Sequence, residues 1–340
     1  MGVPMDTVWS KIKIIGFSLC LFFFFIAFGL SVSLGQNPIP FQTTLDAFFH
    51  YDESITEHVI VKTSRFTRAV IATVVGSSLA IAGALMQALT RNPLAAPDIL
   101  GINAGALCFI VVSATFFSVD SLSHYMWIAF IGAGVAGVMV YFLSAFGHGG
   151  LSPIKIVLAG AAISALFVSI TQGLLVIDEQ QMQTVLFWLA GSVAGRSMEM
   201  IQPVIPFIAS ATVLAFLFGK PINILLFGDE VAKGLGQRTI LLKITIGVFV
   251  IFLAGGSVAI AGSIGFIGLI VPNLVRGLVG TDYRWVIPFS AVIGATLLLL
   301  ADVAARFIIM PQEMPIGVMT AFIGTPVFIY IARKGLSKNG

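Results

Sequence analysis

Asp302 and Arg306 stand one helical turn apart inside the apolar run "SAVIGATLLLLADVAARFI". Ionisable groups buried in hydrocarbon are expensive and commonly mark a proton or ion route. At this spacing, however, the two charges can also simply neutralise each other. Asp302 is the only acid placed inside an apolar span, so ion-coupled chemistry has little to run on. Nor does the chain carry a nucleotide site: Gly219-Lys220 is followed by Pro221, where a phosphate loop requires Ser or Thr. Cys20 and Cys108 both fall in apolar runs, which argues against a disulfide scaffold and against a thiolate metal site. Neither internal energy source is convincing, and a cytosolic ATPase partner fits better.

These residues must be positioned by membrane helices. Hydrophobic residues make up 58% of the 340, charged residues only 10%, and the mean hydropathy is +1.04. A soluble domain carries roughly 25% charged residues. Apolar runs predict ten spans, at 12–34, 66–89, 98–117, 124–146, 154–177, 201–219, 240–261, 263–279, 285–308 and 315–333, forming one all-α domain over 1–340. The first follows Lys11 and Lys13 and precedes "GQNPIPFQ" rather than a small-residue cleavage site, so it reads as a retained span. A further apolar piece, 184–195, reads as re-entrant or interfacial. With a cytoplasmic N-terminus, most Lys and Arg, among them Lys11, Arg91, Lys220, Arg276 and Arg333, fall inside. Only Lys62, Arg65, Arg68, Arg196 and Arg306 fall outside. Positive-inside bias thus predicts both termini cytoplasmic.

"SSLAIAGALMQ" (77–87) resembles "GSVAIAGSIGF" (256–266), and "RNPL" (91–94) resembles "VPNL" (271–274). Five spans separate the halves, so a repeat covering spans 2–5 and 7–10 would be inverted, a transporter signature. Chance likeness of Ala/Gly-rich helices is the other reading.

Three stretches interrupt the helical pattern. "GSIGFIGLIVPNLVRG" (262–277) carries Gly262, Gly265 and Gly268 at helix-packing spacing, then Pro272 and Asn273, which are expected to end the piece. A break in hydrocarbon survives only where protein or water covers it. In "ALTRNPLAAPDILGINAGA" (88–106), Pro93 and Pro97 forbid a continuous helix while Asn92 and Asp98 can cap it, predicting a short stiff cytoplasmic loop. The third, 219–239, reads as short amphipathic helices joined by glycine turns. It either anchors in headgroups or offers an apolar knob to a partner.

Taken with "RFTRAVIATVVGSSLAIAGALMQALTRNPLAAPDILGINAGA" (65–106), "FWLAGS" (187–192), "NILLFGDEVAKGLG" (223–236) and the run 262–334, the chain resembles the permease subunits of type II ABC importers for iron-siderophore complexes, haem and cobalamin, the FecCD type. Asn273 stands where that family commonly has histidine, so no role is carried over to its side chain. The resemblance implies ten helices per subunit, a second permease subunit, identical or paralogous, two cytosolic ATPases and an extracytoplasmic binding protein. It implies a bacterial cytoplasmic-membrane location among lipid, with no nucleic-acid partner. Arg65, Arg68 and Arg306 match outer arginines that receive the binding protein's glutamates, although interfacial anchoring would also suit them. Asn223, Leu226, Phe227, Gly228, Asp229, Glu230, Ala232, Gly234, Leu235 and Gly236 match the coupling segment seated on the ATPase. Asn92, Pro93, Pro97, Gly262, Gly265, Gly268, Pro272 and Asn273 become breaks near the pathway. The chain itself would hold no catalytic residue, metal or cofactor; ATP and Mg would be used by the partner ATPase. Ferric-siderophore import by alternating access is the expected function. Haem or cobalamin import, and an ion-coupled secondary transporter, are the alternatives.

Overall fold

The computed structural model describes residues 5–117, 122–146, 152–177 and 188–336, and among these every regular element is helical. Besides the short turns Pro97–Leu100 and Met198–Ile201, in chain order they are α1 (Met5–Ser33), α2 (Phe41–Phe49), α3 (Thr56–Thr90), α4 (Ile102–Phe117), α5 (Leu122–Ala145), α6 (Pro153–Ile177) and α7 (Ile205–Leu217). There follow α8 (Gly219–Leu226), α9 (Asp229–Gly234), α10 (Thr239–Ala261), α11 (Ile267–Val279), α12 (Tyr283–Ile308) and α13 (Ile316–Leu336). Two of them carry a wider π-helical turn, α3 over Ile60–Arg65 and α10 over Ile251–Gly255.

Six helices, α1, α3, α5, α6, α10 and α12, are long and apolar enough to cross a bilayer. A seventh crossing is available if α7 and α8, bent by 59° at their junction, count together. The expected spans 98–117, 263–279 and 315–333 differ. α4 has 16 residues and α11 has 13, which at 1.5 Å per residue reach about 24 and 20 Å against the ~30 Å of hydrocarbon. The apolar part of α13, Ile316–Tyr330, is likewise short. Among the described residues six or seven helices are thus long enough to cross alone, and a count of ten full-length crossings is not confirmed. α4 and α11 are short because the broken stretches 91–101, which holds only the 3-10 turn Pro97–Leu100, and 262–266 take up part of the depth.

α3 is the central helix, buried along most of its length and in contact with α1, α10, α11 and α12. Small residues permit this. A Cβ at Gly83 would fall 1.8 Å from the Gly268 carbonyl oxygen, and one at Gly76 would fall 2.5 Å from that of Gly294. The backbones themselves are in contact, the close approach that small residues allow between membrane helices. α1 sits at the rim, joined through the Phe17–Phe289 and Phe28–Phe66 ring contacts, while Phe22, Phe23 and Phe25 are exposed. α5 likewise exposes Ile131, Val138 and Phe142. Such surfaces suit lipid, where an outward phenylalanine costs nothing.

The two similar sequence segments do not share a local conformation. Residues 77–87 lie within α3, whereas 256–266 leaves the helix at Gly262; 91–94 is a turn, whereas 271–274 lies inside α11. They nevertheless meet, since Asn273 Nδ2 donates to the Pro93 carbonyl at 2.8 Å.

Candidate functional site

At the end of the bundle carrying the 219–239 segment, α8 and α9 form the expected pair of short helices. Gly228, at φ +119°, makes the turn between them, a conformation side chains rarely adopt. Ile222 and Leu225 face inward, as does Ala232, whereas Phe227, Val231 and Leu235 are exposed together with Glu230, Gly234 and Gly236. The result is an apolar knob on a polar rim. Asn223 locks its base: its Nδ2 donates to Asp282 Oδ1 at 2.6 Å and its Oδ1 accepts from the Tyr283 amide at 2.8 Å. Asp229 receives Arg91 and Lys243, each at 2.5 Å. Partial burial opposes its ionisation, but Lys243 and Arg91 outweigh that and hold its carboxyl below the usual range. Asp282 behaves alike: desolvation raises it, while Arg284 and Asn223 bring it down to about 2. Leu226 is half-buried against the core.

Arg91 ends α3 in the left-handed region, φ +50°, and also donates to the Leu225 carbonyl at 3.1 Å. The chain beyond it is not the surface loop that its prolines suggested. Asn92 Oδ1 accepts from the Leu94 amide at 2.9 Å, closing a tight turn. Pro93 is held by Asn273, and Pro97 abuts Gly268, where a Cβ would meet the proline ring at 2.8 Å. Gly268 in turn lies on Gly83, seven residues inside the end of α3, or about 10 Å of helix rise. The segment therefore climbs back into the bundle before α4 begins. There Asn103 Nδ2 donates to Asp98 Oδ1 at 2.6 Å and reaches Ser263 Oγ at 3.1 Å.

Ser263 belongs to the second break. α10 stops at Gly262, φ +74°, and Phe266 also has positive φ. The freed backbone groups find partners on the 188–192 segment: Ser192 N donates to the Ala261 carbonyl at 2.8 Å and Ser263 N to that of Trp188 at 2.9 Å. The described part of the 184–195 piece thus packs inside the protein; 184–187 lies outside the described residues. A Cβ at Gly262 would fall 2.5 Å from the Trp188 oxygen, while Gly265 faces open space.

Pro272 does not end its helix. α11 continues to Val279 and stops at Gly280, φ +83°. A proline inside a helix leaves the carbonyl four residues earlier without its donor. That carbonyl is Gly268's, and Gln87 Nε2 reaches it at 3.3 Å and the Leu269 carbonyl at 3.2 Å. Gln87 Oε1 accepts from Arg276, which also donates to Asn273 Oδ1 at 2.7 Å. Gln87 was not singled out from the sequence, and Arg276 only as a basic residue at the cytoplasmic end of its piece. A lone amide in an apolar run opposite a helical proline was the available signal.

At the other end, the three expected arginines share one cluster. Arg68 bridges Asp302, at 2.8 Å, and Glu313, at 2.6 Å. Arg306 pairs with Asp302 one turn away and donates to the Ser31 and Leu34 carbonyls at 2.8 and 2.7 Å. Arg65 donates to the Ser33 and Asn37 carbonyls, with Gly35 lying flat on its guanidinium. Arg65 and Arg306 are 5% and 2% exposed. They offer no guanidinium face to a partner here, because both are spent on tying the 31–37 turn to α3 and α12. Arg68 and Glu313 are the accessible members.

A family profile described as the FecCD transport family matches residues 21–334. A Bacillus subtilis protein named as a siderophore transport system permease, YfiZ, is 52% identical over 318 residues, covering 93% of this chain and 95% of its own. The Fe(3+)-citrate import system permease YfmD of the same organism is 42% identical over 326 residues, 96% of each chain. A solved structure described as an inward-facing metal-chelate type ABC transporter superposes with a TM-score of 0.82 at 26% identity, over 96% of this chain and 99% of that one. Helical breaks, a knobbed loop and a spanning bundle are all accounted for by one conclusion: the chain belongs to the FecCD transport family, as a multi-pass ABC importer permease and not an enzyme.

Proposed function

We propose that the chain carries ferric-siderophore complexes across the bacterial cytoplasmic membrane by ATP-driven alternating access, between itself and a second permease subunit. The observation that carries the energy-coupling part is the α8–α9 knob, where Phe227 and Leu235 are 77% and 68% exposed on a base locked by Asn223 and Asp229. An exposed apolar knob on a rigid base suits a cleft in another protein, here a cytosolic ATPase using ATP and Mg. On this reading the knob end and both termini face the cytosol, in keeping with the positive-inside bias. The names of the relatives supply the substrate class.

Asp229 ties the knob to Arg91, and through it to the 91–101 segment, so ATPase closure would pull the break that climbs into the bundle. The binding protein would dock at the opposite end, with Arg68 as the contact and Arg65 and Arg306 as supports of the platform. Uptake of labelled ferric siderophore tests the reading. It should stop on ATP depletion, survive a protonophore while ATP is maintained, and fall with loss of ATPase co-purification in Leu235→Glu. Uptake that outlasts ATP and collapses with the protonophore overturns it in favour of ion coupling.

A further inference from the structure

Asp98 is exposed, although the 91–101 segment that carries it has climbed about two helical turns into the bundle, a carboxylate position that lipid would penalise heavily. Asn103 and Ser263, partly exposed, flank it, so both helix breaks deliver a polar side chain to one spot. The adjoining surface also carries small and polar residues. Gly101 packs on Ser164 of α6. The exposed face of α6 is apolar toward the knob end, with Ile154 and Leu158, and beyond them sets Ala161, Ala165, Ser169 and Gln172 among exposed Val168 and Val176. Spacings of four, four and three keep the four small or polar residues on one side of the helix. On α1 and α5 the outward residues include Phe22, Phe25, Ile131 and Val138, without such a polar admixture beside an acid at depth. An exposed acid at this depth, flanked by Asn103 and Ser263 and close to Ser164, belongs to water rather than to lipid.

We propose that Asp98, steadied by Asn103 and flanked by Ser263, is a solute-contact site in the wall of the transport pathway, accepting a positively charged or hydrogen-bond-donating group of the passing solute. The site rests on reading the chain as a pathway-forming permease, and it assigns a polarity to that pathway: cationic or donor-rich solutes are favoured and anionic ones are disfavoured at this level.

The test is thiol labelling of the assembled transporter in membrane vesicles, with Cys20→Ser and Cys108→Ser as background. A cationic trimethylammonium methanethiosulfonate should modify Asn103→Cys at least about fivefold faster than the anionic sulfonate reagent, after normalising to a small free thiol, the factor expected from one charge at close range. Asp98→Asn should bring the ratio close to one. Ser263→Cys reports on the same carboxylate should Asn103→Cys fail to assemble. The proposal is overturned if neither cysteine is modified in the folded assembly while both label after denaturation, because the face is then covered. It is equally overturned if the ratio ignores Asp98→Asn. Labelling needs no ATP, so these outcomes are independent of the ATP dependence that decides the importer reading.

Discussion

Asp302 shows how much a single buried acid can organise. It is fully buried and receives both Arg68 and Arg306, and Arg306 in turn holds the 31–37 turn. Removing one partner of a buried ion pair leaves charge uncompensated, at about 3–5 kcal/mol. Asp302→Ala should therefore strand two arginines and sharply lower the temperature at which the detergent-solubilised protein loses its monodisperse peak, whereas Glu313→Gln, at the exposed edge, should change it little. Asp282 is the titratable counterpart at the knob end. Its carboxyl is depressed to about 2, against an ordinary value of about 3.9, so its stabilising contribution is complete above that ordinary value and is lost as pH falls toward 2. Melting temperature should then lack an Asp282-dependent change between pH 5 and 9. Asp282→Asn should flatten part of the acid limb, seen by comparing the two melting profiles below pH 4.

Among the elements, α11 illustrates a helix stabilised from outside. Gln87 of α3 supplies to the Gly268 carbonyl the hydrogen bond that Pro272 cannot. Gln87→Leu should cost about 1–3 kcal/mol, the penalty for a buried acceptor left unmade. Pro272→Ala restores the in-helix amide, so the double variant should be destabilised by less than the sum of the two single changes. A double-mutant cycle on thermal unfolding measures that coupling; strict additivity would mean that the two positions act independently. The 188–192 segment serves α10 in the same way, supplying partners to Ala261 and Ser263 where the helix stops.

For the molecule as a whole, the decisive feature is that the outer solvent is lipid. Phe22 and Phe25 of α1 are 59% and 67% exposed, while Phe289 of α12 is 2% exposed against the core. In water all three would favour burial. In a bilayer the first two gain nothing from it, since lipid tails are as apolar as the protein interior. Phe22→Ala and Phe25→Ala should therefore leave stability in lipid nanodiscs nearly unchanged, while Phe289→Ala should cost about 3–5 kcal/mol through the cavity it leaves. Helix placement followed the same logic in reverse: with a hydrocarbon slab as the reference, apolar run length alone located every long helix.

What the sequence determined was therefore the long helices, the three interruptions and the chain's kinship, because hydropathy, proline and glycine act locally and the motifs are long. The observed α10 and α12, 239–261 and 283–308, lie within two residues of the runs expected at 240–261 and 285–308, and the i,i+4 pairing of Asp302 with Arg306 is present. What only the tertiary structure decided was where the interruptions lead. Pro93 and Pro97 announced a loop without revealing that it turns back against Gly268, since that contact depends on two glycines far apart in sequence. Pro272 looked like a helix end because its missing donor, Gln87, lies 181 residues from the Gly268 carbonyl it serves. Arg65 and Arg306 looked like surface groups because charge implies solvent, until the 31–37 turn supplied carbonyls enough to bury them. Local chemistry sets which residues break a helix; only distant partners determine what satisfies the break.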